Sequence, residues 1–394
     1  MKLETLLEGC DHIESAAQLD ELLRRQRPIE VKLGLDPTTS DLHLGHAVVL
    51  HKLQQFLEAG HNVTLIIGDF TGRIGDPSGR NEMRPPLSEE QIRVNMTTYA
   101  QQAGKILDMQ RVRVRYNSEW LAKLTLSDLL RLLSQITVAR MLDRNDFAQR
   151  YQSNEPIALH EFLYPIAQAY DSIAIGAEVE LGGNDQLFNL LMGRQYQAHA
   201  GQREQVCMTL PLLEGLDGQK KMSKSAGNYI GIAEEARSQF GKLMRIPDEL
   251  IPRYARLAAF RSEAECLQLA AALGSGSAHP MDEKKKLAEE IVARYHGAAE
   301  ANRASQYFEQ TVQRRELPTD DVPEISVGNA RRVSDVLVAA GLAESKRAAE
   351  RLLLGNGVKV DGIVVNDPRA TWTHSAPATL SVGSRRFVRV VPNE

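Results

Sequence analysis

Apolar residues along the N-terminal half of this chain follow two alternating periods. Short apolar runs at 31–35, 63–67 and 112–114 are separated by stretches with apolar positions at helical spacing, as at Leu42, Val49, Leu53 and Phe56 before Gly60. The runs predict strands and the spaced positions predict helices. Their alternation predicts an α/β domain, a Rossmann-like parallel sheet carrying helices. Ligands bind such sheets beyond the carboxyl ends of the strands, the edge on which His43 and the loop 68–79 fall.

The pattern then divides the rest of the chain. A helical insertion is expected over 85–150, where Leu126, Leu129, Leu130 and Leu133 sit at helix spacing, followed by Ile136 and Met141. With that insertion the catalytic domain is expected over 1–231, an α-helical domain over 232–316, and a linker over 317–325, where Pro318 and Pro323 flank polar residues. A small α+β module is expected over 326–394. There Val333, Val336, Leu337 and Ala340 mark a short helix ending at Gly341, and Ser345 caps a second helix closed by Gly355. Val358 and Val360 lead to Asp361-Gly362, a hairpin signal, with Ile363 and Val365 returning.

Composition narrows the class. The 394 residues are 43% hydrophobic and 25% charged, ordinary globular usage with room for two or three domains. Cys10, Cys207 and Cys266 show no metal-ligand spacing, so no resident metal is expected and a reducing compartment is the simplest reading. The acidic N-terminus and the lack of a long apolar run predict a cytoplasmic protein with no membrane partner. Net charge is −4, but 326–394 carries ten Lys or Arg against six Asp or Glu, leaving −8 on the remainder. That asymmetry points to a nucleic-acid-facing tail on an acidic enzyme.

Two motifs supply candidate chemistry. His43-Leu44-Gly45-His46 opens the helix after the first strand, and Lys221-Met222-Ser223-Lys224-Ser225 follows far downstream. Histidines three apart share a helix face, and the free N–H groups of a first turn already favour an anion. Together the motifs resemble the two halves of the ATP site in class I aminoacyl-tRNA synthetases.

Two further stretches narrow the resemblance. In 160–171, Tyr164, Gln168 and Asp171 share one stripe of an otherwise apolar helix, and 181–186 reads as a glycine-backed turn carrying Asn184, Asp185 and Gln186. With 34–38 and 75–79 they resemble the tyrosyl-tRNA synthetase family, bacterial type, over nearly the whole chain. The resemblance implies ATP as a substrate with Mg2+ carried on it, L-tyrosine as the amino acid, tRNA(Tyr) as acceptor, and a homodimer built through the insertion. It places Asp76, Tyr164 and Gln168 at the tyrosine ammonium, Asp171 at the phenol hydroxyl and Gln186 at the carboxyl group. Gly34, Asp36, His43, His46, Gly183, Asp185, Met222 and Lys224 fall on the ATP side, with Asp185 and His46 on the ribose. Thr38, His43, His46, Lys221 and Lys224 form the implied catalytic set, acting by charge and position because the nucleophile is already a carboxylate. Arg80 and Arg84 lie near enough in sequence to add charge.

Lys32 departs from the family pattern, which often has a tyrosine there as a second phenol contact. It is kept in the tyrosine-binding set, either donating to the phenol oxygen or pairing with Asp171. The C-terminal segment resembles the RNA-binding module named after small-subunit ribosomal protein S-four, with Lys346, Arg347 and Arg351 as a stripe for tRNA phosphates. Two alternatives remain open at this point, a tryptophanyl-tRNA synthetase and an RNA-binding protein built on a synthetase scaffold.

Overall fold

The computed structural model describes residues 3–38, 40–78, 87–314, 324–327, 331–373, 376–383 and 386–391. Arg80, Arg84 and most of the expected linker lie outside them. The chain divides into two compact units, Met1–Glu235 with Lys242–Ile291, and Ala236–Gly241 with Val292–Glu394. The expected helical stretch 232–316 is therefore not one body. Its helices Ile251–Leu257 and Glu263–Gly274 lie in the first unit, and Ala298–Phe308 lies in the second.

The first unit is built on six strands, β1 (His12–Glu14), β2 (Glu30–Leu35), β3 (Asn62–Ile67), β4 (Arg113–Tyr116), β5 (Val179–Gly183) and β6 (Val206–Leu210). Their order is β1-β6-β5-β2-β3-β4, parallel except for β1, which runs antiparallel to β6. β3 and β6 are buried almost throughout, the apolar character a covered parallel sheet requires. Helix Leu44–Glu58 packs on β2, β3 and β5. It stops where Gly60 takes a φ of 86°, a left-handed exit that glycine adopts without strain.

The strand order turns at β2, with β3 and β4 on one side and β5 and β6 on the other. The carboxyl ends of β2 and β5 therefore flank a switch point, where an open α/β sheet leaves a crevice. The segment 181–186, read as a turn, is in fact the end of β5 running into a single 3-10 turn at Asn184–Gln186. Its two glycines hid a strand from the hydrophobic pattern.

In the helical insertion, Leu132 and Met141 join a core with Ile166, Ala169, Met192 and Tyr196. Leu126, Leu130 and Val138 stay exposed, at 74%, 61% and 64%.

In the second unit, β7 (Glu324–Ser326), β8 (Val358–Val360), β9 (Ile363–Val364), β10 (Ala378–Val382) and β11 (Arg386–Val391) form a sheet in the order β7-β11-β10-β8-β9. Helices Val333–Ala339 and Lys346–Leu354 pack on each other and share its core. Asp361 and Gly362 both have positive φ, 48° and 83°, as a tight hairpin between β8 and β9 demands. Helix Lys346–Leu354 ends with Asn356, rather than Gly355, in the left-handed region.

Candidate active site

A cleft of about 750 Å³ opens at the carboxyl ends of β2 and β5. Every residue expected to touch ATP or tyrosine lines it except Lys32. Four aspartates line this space, Asp36, Asp76, Asp171 and Asp185.

Asp171 sits with Tyr164 and Gln168 on helix Leu163–Ile175, as the stripe predicts. Its Oδ1 accepts the indole N–H of Trp120 at 2.7 Å and its Oδ2 accepts Asn117 Nδ2 at 3.3 Å. Burial pushes this carboxyl up to about 7, against the opposing pull of Lys32 and those two donors. Asn117 and Trp120 were not anticipated. They follow the carboxyl end of β4, so the edge rule that found His43 could have found them.

Lys32 has a partner that the sequence did not supply. Its Nζ lies 3.0 Å from Glu180 Oε1, both side chains 1% exposed, and it also donates to the Gln168 carbonyl at 3.3 Å. The pairing follows from register, since Lys32 and Glu180 are direct neighbours across β2 and β5. The carboxylate of Glu180, invisible as a partner before the strand pairing was known, is the ion-pair partner of Lys32, which also acts on the Asp171 carboxyl.

At the other end of the stripe, Tyr164 donates its hydroxyl to Asp36 Oδ2 at 2.9 Å, and Thr71 donates to Asp36 Oδ1 at 2.7 Å. Burial, reinforced by Asp76 and Asp171, raises the Asp36 carboxyl to about 7 despite these donors. Asp76 behaves oppositely. Burial works to raise it, but Arg144 and donors from Ser78 and Gln186 together hold it below the usual carboxylate range. Arg144 was also missed, being remote in sequence from every motif. Asn189, one helical turn beyond Gln186, joins it at 3.0 Å.

His43 caps the helix and His46 lies on its first turn, with ring centroids 3.9 Å apart. The His43 backbone N–H donates to His46 Nδ1 at 3.2 Å. Burial first, then the neighbouring His46 and Lys221, drives His43 well below the ordinary imidazole range; burial and Lys221 bring His46 down to about 4. Both rings are thus neutral at pH 7. His43 Nδ1 is buried without a hydrogen-bond partner among the described residues. The pair is suited to hydrogen bonding with an anion rather than to charge pairing.

The lysine loop folds back over the same cleft. Lys221 Nζ lies 2.6 Å from Asp185 Oδ2, and Lys224 Nζ lies 2.6 Å from Asp41 Oδ2. Asn228 secures the loop, accepting Ser223 N–H and donating to Asp217. Met222 is buried beneath it. Thr38 lies at the turn after β2, its N–H donating to the Asp36 carbonyl at 2.8 Å.

The two glycines expected to admit nucleotide differ. A Cβ on Gly34 would meet nothing within 4 Å, and its φ is not in the left-handed region, so neither packing nor backbone conformation requires glycine there. On Gly183 a Cβ would meet Asp185 Oδ1 and Leu212 Cδ2 at 2.8 Å, so a side chain there would displace the ends of those two side chains.

On the C-terminal unit, Arg347 and Arg351 are exposed on helix Lys346–Leu354, while Lys346 is tied to Asp335 at 2.8 Å. Among the described residues no helix is long and apolar enough to cross a membrane.

Comparison with known proteins gives a consistent result. Residues 24–313 match the family described as tRNA synthetases class I (W and Y), and residues 331–371 match the S4 domain. The tyrosine–tRNA ligase of Moorella thermoacetica is 50% identical over 99% of this chain and 95% of its own length. That of Shewanella oneidensis is 48% identical over 98% of each. Among solved structures, tyrosyl-tRNA synthetase from Aeropyrum pernix superposes with a TM-score of 0.63 at 20% identity, covering 78% of this chain and 98% of that one, a likeness of fold. With its cleft, its motifs and its relatives in agreement along nearly the full length, the chain belongs to the tyrosine–tRNA ligase family of class I aminoacyl-tRNA synthetases.

Proposed function

We infer that the chain activates L-tyrosine with ATP, forming tyrosyl-adenylate and pyrophosphate, and then transfers tyrosine to the 3′ end of tRNA(Tyr). The observation that carries this reading is Asp171, a buried acceptor at the far end of a stripe whose near end is rich in carboxylate and amide oxygens. A phenol hydroxyl needs the first and an ammonium needs the second. A site built to accept a hydroxyl also rejects an analogue without one, because its own polar groups would be left unpaired.

In this reading the tyrosine carboxylate attacks the α-phosphorus of ATP and pyrophosphate leaves, so negative charge grows on the phosphates. Asp76, Tyr164 and Gln168 hold the ammonium, and Gln186 orients the carboxyl group. Thr38, His43 and His46 meet the phosphates and ribose from the helix end, and Lys221 and Lys224 from the loop. Asp185 contacts the ribose, and Gly34 and Gly183 let adenosine approach the backbone, with Asp36 and Met222 beside them. Catalysis is electrostatic and positional. Magnesium enters with ATP as part of the substrate. Lys32 acts behind the tyrosine site through Glu180.

The exposed apolar residues Leu126, Leu130 and Val138 support a homodimer formed through the helical insertion. Lys346, Arg347 and Arg351 are assigned to tRNA phosphates, and a cytoplasmic location belongs to the same reading. The deciding experiment is pyrophosphate exchange into ATP with each amino acid in turn. Exchange is expected to require L-tyrosine and magnesium; exchange driven by tryptophan would overturn the substrate assignment.

A further inference from the structure

Arg144 lies between helices Val138–Leu142 and Asn145–Gln152, in the insertion rather than in the sheet that carries the motifs. It is 4% exposed, and its guanidinium makes four hydrogen bonds, to Asp146 Oδ1 (2.8 Å), Asn189 Oδ1 (3.0 Å), Ser78 Oγ (2.6 Å) and Asp76 Oδ1 (3.3 Å). We propose that Arg144 is a positioning residue for the ammonium end of the amino-acid subsite, acting on Asp76 directly and on Gln168 through Asn189. The proposal rests on the tyrosine-activation reading above.

The argument is one of hydrogen-bond direction. A guanidinium only donates, so Asn189 must turn its oxygen toward Arg144 and its Nδ2 away. That Nδ2 donates to Gln168 Oε1 and Gln186 Oε1, both at 3.0 Å. Each glutamine then points its own Nε2 onward, Gln186 to Asp76 Oδ2 at 2.8 Å and Gln168 to Glu180 Oε1 at 3.1 Å. Those carboxylates only accept. An amide taken alone can face either way, but a chain that starts at a donor-only group and ends at acceptor-only groups runs in one direction.

The consequence falls on the ligand. An ammonium brings three donors and no acceptor, so its pocket must present oxygen. With the chain in its observed sense, oxygens of Asp76 and Gln168 are fixed in orientation within the cleft wall. Reversing Gln168 would put an N–H where its oxygen now lies beside the ammonium. Arg144 thus governs recognition of the α-amino group without touching it.

The test compares three ligands by equilibrium binding to the full-length protein and its variants. L-tyrosine and tyramine carry the ammonium, and 3-(4-hydroxyphenyl)propionate lacks it. In Arg144→Met, tyrosine and tyramine are expected to bind about tenfold to a hundredfold more weakly, the scale of one misdirected hydrogen bond to a charged group. The propionate, whose carboxylate still meets Gln186 but which brings no ammonium, should lose less than tyramine, and Arg144→Lys should recover part of the loss. If Arg144→Met fails to fold, Asn189→Asp keeps an acceptor for Arg144 and removes the donor to both glutamines. The same selective loss is then expected. Equal weakening of all three ligands, or no weakening of any, overturns the proposal. A parent protein that binds tyrosine yet gives no tyrosine-dependent exchange overturns the activation reading instead, and leaves the binding comparison to judge Arg144.

Discussion

The indole N–H of Trp120 and the carboxylate of Asp171 are joined at 2.7 Å, although they lie 51 residues apart. With Asn117 on the second oxygen, Asp171 has two donors fixed and lone pairs left for a third, which the phenol hydroxyl supplies in the proposed reaction. Asp171→Ala should therefore lower kcat/KM for tyrosine activation about tenfold to a hundredfold more than for phenylalanine activation. The measurement is pyrophosphate exchange with both amino acids. Equal losses would give Asp171 a structural role only.

The same carboxyl predicts a pH dependence of stability. Its folded value of about 7 lies above the ordinary 3.8, so the folded state holds a proton that the unfolded state has lost. Its contribution is complete below about pH 4 and disappears as pH rises through 7. Asp171→Asn removes that titration. The melting temperature of the variant relative to the parent should rise between pH 4 and pH 8, as read by thermal unfolding; a constant difference would contradict the assigned shift.

His43→Ala and Lys224→Ala test the electrostatic account of activation. Contacts that strengthen as charge develops on the phosphates should cost rate rather than affinity, roughly a hundred- to thousand-fold in kcat for one lost donor. KM for tyrosine should stay near the parental value. Weakened tyrosine binding at an intact rate would contradict both roles.

For the buried pair Lys32–Glu180, removing one partner leaves a charge without its counterpart. Lys32→Met should cost about 3–5 kcal/mol of stability. Pairing it with Glu180→Gln should lose less than the two single changes added together. Denaturant unfolding of the four proteins completes the cycle, and strict additivity would mean that the two side chains do not act as a pair.

Arg347 and Arg351 are exposed, whereas Lys346 is already held by Asp335. Replacing both arginines by alanine should weaken tRNA binding and lower its salt slope by about 1.5, and Lys346→Ala should do less. Tyrosine-dependent exchange should be unaffected. An unchanged salt slope would remove this helix from the tRNA contact.

The groupings within single helices were legible because short motifs encode them locally. His43 and His46 share one helix turn, and Tyr164, Gln168 and Asp171 share one helix stripe, so spacing alone puts them together. What stayed hidden depends on pairing between distant segments. Glu180 is a partner for Lys32 only once β2 lies beside β5. Arg144 reaches Asp76 from an insertion with no motif of its own. β5 itself was obscured because Gly182 and Gly183 look like a turn, yet a Cβ on Gly182 would strike Gln186 at 2.9 Å. Strand propensity gave way there to close packing.

The ion pairs Lys221–Asp185 and Lys224–Asp41 bear on how a catalytic cycle ends. Both loop lysines already have carboxylate partners, so in the proposed reaction the phosphates of ATP compete with those carboxylates. These pairs are more than a third exposed on at least one side, and contacts of that kind are worth little, roughly 0–1 kcal/mol each. The competition is mild at arrival. In the proposed reaction the same pairs await the lysines when pyrophosphate departs, so Asp185 and Asp41 give them carboxylate partners to return to.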